Sequence, residues 1–128
     1  MERISQADGV RLMRLWGNDS WPDVEADYRL WGGCCVFAIM PLGDGNQFHM
    51  AMMPSERRRC REAMADVIIL IGDKPMLAPI LLGRTSAENL VKKFGFVMTT
   101  KAITDQGEVS CYVRSPKWAE FLRQSETL

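Results

Sequence analysis

The alternation of apolar and polar positions predicts a mixed domain of strands and helices. Residues 3–5 are strand-like, and Asp8 is a suitable cap for a helix whose apolar residues recur at helical spacing: Val10, Leu12, Met13 and Trp16. Three strand-like runs follow, with glycine-containing turns between them: residues 28–31, 34–40 and 47–53. The first half of the chain therefore predicts a strand, a helix and three antiparallel strands.

The middle of the chain predicts a long helix from Ser55 to Ile71. Ser55 is its expected cap, Glu56 suits its positive end, and the sequence Gly72–Pro75 stops it. One face of this helix is apolar: Cys60, Ala63, Met64, Val67, Ile68 and Ile71. The helix is expected to pack this face on the sheet.

A strand with an internal proline follows at Met76–Leu82. Because Pro79 has no N–H to donate, we expect the strand to be broken, splayed or at an edge on that side. Gly83 ends the strand, and a short helix follows in which Thr85 or Ser86 accepts hydrogen bonds from the first free amides. Its inner stripe is Leu90, Val91 and Phe94, and Gly95 closes it in the left-handed conformation.

The last third of the chain predicts a hairpin and a closing helix. Residues 96–103 and 108–114 are strand-like and flank the turn Thr104–Gly107, and Pro116–Arg123 has the composition of a short helix. There is no repeat, low-complexity segment or linker. We therefore expect residues 1–128 to form one domain.

Charge and hydropathy exclude several classes of protein. The chain has 128 residues, of which 47% are hydrophobic, so it is long enough to bury a real core. Sixteen basic and sixteen acidic residues give a net charge of zero, so no overall positive charge attracts the protein to nucleic acid or to a membrane surface. We therefore expect neither a protein that coats nucleic acid nor one that binds the membrane surface. The longest apolar run, Val67–Ile71, is too short to span a bilayer. A soluble, cytoplasmic protein is the expectation.

The cysteine pattern predicts free thiols. Four cysteines are present, Cys34 and Cys35 are adjacent, and no C-x-x-C motif occurs. With a single histidine, the chain does not offer the ligand spacing of a structural zinc site. We therefore expect no metal and a reducing compartment.

The helix after the proline-containing strand carries a family resemblance. The signature N-x-x-A-x-x-x-Y-x-x-x-G-F of the GNAT superfamily of N-acetyltransferases falls on Arg84, Ala87, Val91, Gly95 and Phe96. The small alanine and the closing Gly-Phe match, whereas the asparagine and the tyrosine do not. The order of the predicted elements also resembles that of this family over nearly the whole chain.

A second family block fits in outline. The strand His49–Pro54 and the start of the Ser55 helix resemble the family's strand ending in Val-Pro and its Q/R-x-x-G-x-G/A loop. Arg57 falls where the family has Gln or Arg, but Cys60 and Glu62 replace its glycines. Those glycines allow backbone amides to close on the pyrophosphate of coenzyme A. The cofactor motif of this chain is therefore degenerate.

The resemblance implies an α/β (α+β) fold with a mixed, mostly antiparallel sheet, splayed like a V between strands 49–53 and 76–82 and flanked by helices. It implies acetyl-CoA as cofactor and an amine as acceptor. The cofactor-binding residues that it implies are Met52, Met53, Arg57, Arg58, Arg59, Cys60, Arg61, Arg84 and Ser86.

The arginine cluster has a physical reading of its own. Four guanidinium groups at the start of a helix oppose its macrodipole, so a nearby anion such as a pyrophosphate would relieve them. The alternative is a solvated basic face partly neutralised by Glu56 and Glu62. Both interpretations stay open from the sequence.

His49 and Tyr112 are the candidate catalytic residues. His49 lies on the strand that carries the acetyl end of the cofactor in the family, and its usual pKa near neutrality suits a general base. The alternative is a hydrogen-bonded histidine that packs in the sheet. Tyr112 or Cys111 would supply the acid, because Val91 stands in place of the family's tyrosine.

A second resemblance points to a non-catalytic class. The turn Gly83-Arg84-Thr85-Ser86 resembles that of the acetyltransferase-like internal virion protein family of short-tailed bacteriophages. In that class the fold is a binding or assembly domain, located in a virion, with a protein partner at the splayed sheet or at the Trp21 turn. Trp21 itself and the methionine cluster Met50, Met52 and Met53 are interpreted first as core.

Overall fold

The computed structural model describes residues 1–115, and within them seven strands form one sheet in the order β1-β2-β3-β4-β5-β7-β6. The strands are β1 Glu2–Arg3, β2 Asp27–Trp31, β3 Cys35–Leu42, β4 Gly45–Met52, β5 Met76–Leu81, β6 Val97–Thr104 and β7 Gly107–Arg114. The helices are α1 Gln6–Trp16, α2 Cys60–Ile71 and α3 Thr85–Lys93, and a 3₁₀ helix spans Pro54–Arg59. The helix predicted at Pro116–Arg123 lies outside the described residues.

All strand pairs of the sheet are antiparallel except β4 and β5, which are parallel. These two strands pair only at Asn46 with Met76 and at Gln47 with Leu77, and then they separate. The predicted neighbours, their parallel direction and the splay between them are all confirmed. We call the space between the separated strands the groove.

Two apolar cores lie on the two faces of the sheet. On one face α1 packs on β2, β3 and β4, and its buried Val10 and Met13 meet Tyr28, Val36 and Ala51. On the other face α2 and α3 cover a larger core that contains Phe37, Phe48, Met64, Val67, Met76, Val91 and Tyr112. We call these the α1 face and the α2 face. The predicted inner stripes of all three helices are confirmed.

The predicted helix starts are wrong in three places. Ser5, not Asp8, caps α1 and accepts a hydrogen bond from the amide of Asp8, because the helix begins at Gln6. Neither Thr85 nor Ser86 caps α3, since both lie inside the helix and Arg84 takes the cap position without a side-chain hydrogen bond.

The long helix predicted from Ser55 begins instead at Cys60. Pro54–Arg59 form a 3₁₀ helix that Pro54 can start, because the first amides of a helix need no partner. Arg57, Arg58 and Arg59 therefore do not lie in the first turn of an α-helix.

Glycines with positive φ lie at the turns and helix ends where the sequence predicted them. Gly32 and Gly33 both have positive φ between β2 and β3, and Gly95 closes α3 with φ +85°. No helix among residues 1–115 is long and apolar enough to cross a membrane.

Candidate functional site

The register of β4 determines which backbone groups face the groove. The Met53 amide donates to the Cys34 carbonyl at 2.8 Å, so hydrogen-bonded pairs toward β3 recur at Ala51 and His49. The amides and carbonyls of Met50 and Met52 must therefore point the other way, toward β5. Because β5 has already separated there, the described strands offer them no ladder partner.

The same reasoning applied to β5 explains its proline. The Leu82 amide donates to the Glu108 carbonyl at 2.9 Å, so Ile80 and Ala78 bond to β7, and Pro79 turns its nitrogen toward β4. The groove lies on that side, so the missing N–H costs no ladder hydrogen bond. Pro79 is therefore compatible with the splay. It also disfavours pairing of β4 with β5 at this point, because it cannot donate a ladder hydrogen bond to β4.

The 3₁₀ helix lies at the carboxyl end of β4, and two of its arginines are bound within the protein. Arg58 pairs with Glu56 at 3.2 Å and donates to the Ser55 carbonyl at 3.0 Å. These contacts use both ends of its guanidinium group, so Arg58 acts mainly inside its own turn.

Arg59 is held more firmly than Arg58. Its guanidinium carbon lies 4.6 Å from the ring centroid of Trp31, its Nη1 lies 3.8 Å from Sγ of Cys34, and its Nη2 lies 3.8 Å from Glu62. The Trp31 indole in turn donates to Asp66 at 2.6 Å. Trp31 therefore ties the 3₁₀ helix and α2 to the β2–β3 hairpin.

The remaining predicted cofactor residues surround the two strand ends. Arg57 and Arg61 are exposed, as are Arg84 and Ser86 at the start of α3. Met52 is buried and Met53 half-buried, with the Met53 amide already bonded to β3. The exposed cations are therefore spread over both sides of the groove.

Two cysteine thiols nearby have raised pKa values. Burial raises the pKa of the Cys35 thiol, and burial also raises the pKa of Cys60 although Arg57 acts in the opposite direction. All four cysteines are free, as predicted. Among residues 1–115 no group of three or more His, Cys, Asp and Glu side chains is placed to hold a metal ion.

His49 lies on the α1 face of β4, next to the groove. Burial lowers its pKa to about 4, so the imidazole is neutral at physiological pH. Its Nε2 lies 2.8 Å from the side-chain amide nitrogen of Gln47, and its ring meets Trp21 edge-on with centroids 4.8 Å apart. With the Gln47 amide as donor, Nε2 is the acceptor and the proton sits on Nδ1.

Tyr112 lies on the opposite side of the sheet from His49. It is 4% exposed within the core of the α2 face, and Nζ of Lys92 lies 5.9 Å from its ring centroid. The structure therefore does not bring the two candidate catalytic residues together on one face. Cys111, the alternative acid, is half-buried on the α1 face of β7.

The loop between α1 and β2 crosses the α1 face from β4 to the β6–β7 hairpin. Trp21 packs on His49 at one end, and Oγ of Ser20 lies 2.9 Å from Oε1 of Gln106 at the other. Trp21 is 6% exposed, so its interpretation as core is confirmed. The roles of Gln47 and of this crossing were not found from the sequence, because both depend on contacts distant along the chain.

Comparison with solved structures identifies the fold. No protein-family model matches the sequence, and no curated protein matches it. A ribosomal-protein alanine N-acetyltransferase from Escherichia coli matches with a TM-score of 0.64 and 13% identity, covering 88% of this chain and 88% of that chain. A GNAT superfamily phosphinothricin acetyltransferase from Sinorhizobium meliloti, in complex with acetyl-CoA, matches with a TM-score of 0.63 and 14% identity, covering 88% and 85%.

A third match covers less of its partner. An acetyltransferase of the GNAT family from Streptococcus agalactiae has a TM-score of 0.56 and 14% identity, and the alignment covers 64% of this chain and 58% of that chain. The chain thus spans less than two thirds of that relative. Together the matches show that the chain has the GNAT fold, with the mixed, mostly antiparallel sheet that the sequence predicted.

Proposed function

We propose that this chain binds acetyl-CoA in the groove between β4 and β5 and transfers the acetyl group to an amine at a low rate. The splay carries the binding part of the proposal, because it leaves the backbone groups of Met50 and Met52 directed toward β5 at positions where β4 and β5 no longer pair. The pantetheine arm of coenzyme A is extended and has two amides, so it can pair with those groups like an added strand. Acetyltransferases of the same fold are solved with acetyl-CoA.

The phosphates would lie at the carboxyl ends of the two strands. Both β4 and β5 are followed in the chain by the N-terminus of a helical segment, and the free amides of a helix N-terminus favour anions. We assign the pyrophosphate to Arg57 and Arg61, which are exposed, with Arg84 and Ser86 at the start of α3 as the second group. Arg58 and Arg59 support the 3₁₀ helix through their contacts within the protein.

The reaction would be a direct acyl transfer. A neutral amine attacks the thioester carbonyl carbon, the C–N bond forms and the C–S bond breaks. The proton lost by the amine nitrogen ends on the sulfur, so the products are an acetamide and the thiol of coenzyme A. An amide facing the groove, such as that of Met50, would donate to the oxyanion.

Acid–base assistance would be weak. A base is most effective when its pKa lies near the working pH, and the pKa of His49 is about 4. Tyr112 is the candidate acid, but its burial on the other face separates it from His49. Because each positioned proton-transfer group typically contributes about 10²–10⁴-fold, we infer a slow enzyme.

The second candidate is a binding or assembly domain without catalysis. Two observations favour it: Arg58 and Arg59 already have partners within the protein, and residues 54–62 contain no glycine that would let a pyrophosphate approach the backbone closely. The resemblance to the phage virion family belongs to this candidate, and so does a virion location. A cytoplasmic location belongs to the first.

Titration of the full chain with coenzyme A separates the two candidates. We expect measurable heat of binding and a rise in melting temperature at millimolar coenzyme A, and at least a fivefold loss of affinity in Arg57→Ala. Arg11→Ala is the matched control, because Arg11 is an exposed arginine on α1, away from the groove. Absence of any binding heat would leave only the second candidate.

Acetyl transfer is then measured directly as release of the coenzyme A thiol from acetyl-CoA with a panel of amines. Binding without transfer would retain the cofactor site and reject the enzyme. Turnover at ordinary enzyme rates would contradict the inference that acid–base assistance is weak.

A further inference from the structure

The half of the sheet beyond the groove presents an uncharged surface on the α1 face. The side chains of Leu77, Pro79 and Leu81 on β5 alternate with the core residues Ala78 and Ile80, so they point to the α1 side. Their neighbours on β7 are Val113, Cys111 and Val109, in the same order. We call these six residues the apolar face.

The apolar face is partly open. Val109 is buried, and the other five side chains are half-buried. The main contacts of α1 are with β2, β3 and β4. The loop after α1 crosses toward the β6–β7 hairpin through the Ser20–Gln106 contact, so the face is more exposed at Val113 than at the buried Val109. The surface continues onto β6, where Val97 lies opposite Val113 and is 65% exposed.

The apolar face is continuous with the groove. The backbones of Leu77, Pro79 and Leu81 form the β5 wall of the groove, and their side chains belong to the apolar face. Gln47 on β4 is opposite Leu77, and it bonds His49 on the same side of the sheet. A group that reacts near the vertex of the splay, at Gln47 and Leu77, therefore has this surface beside it.

From this continuity we propose that the apolar face binds the body of the acceptor, and that the acceptor is an apolar primary amine rather than a polycation. This inference rests on the proposed function. None of the six side chains carries a charge, so an ammonium group of a polyamine that lies on them would lose hydration without gaining an ion pair from the apolar face. An aromatic or alkyl body would instead gain about 25 cal/mol for each Å² of apolar area removed from water.

A hollow beside the apolar face gives additional space for the apolar part of the acceptor. A hollow of about 180 Å³ lies between the β3–β4 turn and the start of β5, and Leu42, Leu77 and Val113 are among its walls. Among residues 1–115, Asp44 is the one charged side chain that lines it. An acceptor with a ring or a short alkyl chain fits this combination of surface and hollow.

The test compares amines of different polarity with the full chain and acetyl-CoA. We expect kcat/KM for phenethylamine and hexylamine to exceed that for putrescine and spermidine at least tenfold. Val113→Asp should raise KM for phenethylamine at least tenfold with little change in kcat and none in coenzyme A affinity. Val113→Thr, nearly the same in shape, should show a smaller effect in the same direction.

Ile69→Asp is the matched control, because Ile69 is 77% exposed on α2, away from the apolar face, and its replacement should change neither KM nor affinity. Preference for spermidine, or an unchanged KM in Val113→Asp, would overturn the inference while leaving the proposed function intact. Loss of coenzyme A binding in the wild-type chain would instead reject the proposed function.

Cys111 gives a second readout that does not need turnover. In a Cys60→Ser background, Cys111 is the remaining thiol outside the buried pair Cys34 and Cys35. We expect iodoacetamide to modify it, and phenethylamine but not putrescine to slow the modification at least threefold. A native chain in which Cys111 resists modification would overturn the inference, because a second copy or residues 116–128 would then cover the apolar face. Gel filtration distinguishes these two explanations, because a second copy would double the apparent molecular mass and residues 116–128 would leave it unchanged.

Discussion

The half-buried His49 makes the stability of this protein depend on pH in a defined window. In the unfolded chain His49 takes up a proton as the pH falls through 6.5, whereas in the folded chain burial lowers its pKa to about 4. Between these values the unfolded state holds one more proton, so the free energy of unfolding falls as the pH falls. A difference of roughly 2.5 pH units corresponds to about 3 kcal/mol, at 1.36 kcal/mol per unit.

Urea unfolding at several pH values from 4 to 8 measures this loss, with His49→Gln for comparison. The variant should be less stable than wild type at pH 8, because it loses the packing on Trp21, but its stability should change much less down to pH 4. Asp27 acts at lower pH: burial opposes its ionisation, but hydrogen bonds from Arg29 and Arg3 outweigh burial and hold the pKa of its carboxyl below the ordinary value.

The chain has one histidine, so an imidazole titration followed by NMR assigns the effect without ambiguity. A midpoint near 6.5 in the folded protein, or equal pH slopes for the two chains, would refute the reasoning. The first result would also restore His49 as an effective base for acyl transfer.

Three further predictions concern the cores. Gly9→Ala adds helix propensity worth about 1 kcal/mol, but its Cβ would overlap the buried ring of Tyr28, whose hydroxyl donates to Val24 at 2.6 Å, so urea unfolding should show a net loss of up to about 2 kcal/mol. Trp31→Phe removes the indole bond to Asp66 and should lower the free energy of unfolding by about 1–2 kcal/mol. Val91→Tyr should lower the melting temperature rather than restore an acid, because Val91 is 5% exposed in the core and overpacking costs about 1–3 kcal/mol.

Most of the fold could be predicted from the sequence because its signals are local. Alternation located β2, β3, β4 and the β6–β7 hairpin, and glycines with positive φ mark the turns between them. Pro79 predicted a strand that is broken, splayed or at an edge on that side, because it has no N–H to donate, and the structure shows the splay that the family resemblance also implied. Helix starts failed because Ser5, Asp8, Ser55 and Thr85 are all good caps by composition, and tertiary packing selects among them.

The site was harder to predict because its properties depend on contacts between distant residues. The sequence presents four similar arginines, but only the structure shows that Arg59 stacks on Trp31 while Arg57 stays exposed. It presents one histidine with an ordinary pKa, but burial in the sheet changes that value. Residue type alone therefore identified the candidates without deciding their roles.

The splay itself is weak evidence for catalysis, and the reason lies in how it is stabilised. Each separated strand has its own partner on the far side, β3 for β4 and β7 for β5, and its own share of buried side chains in the core of the α2 face. Pro79 adds a local barrier to closure. The groove can thus persist without a cofactor, so its retention does not depend on activity.

Activity requires features that the fold does not need: exposed cations at the strand ends and an acceptor surface beside the vertex. Arg57 and Arg61 are such features, because their side chains are exposed, whereas the apolar face also contributes cross-strand packing between β5 and β7. The two arginines are therefore the positions at which substitution most directly separates an enzyme from a binding domain.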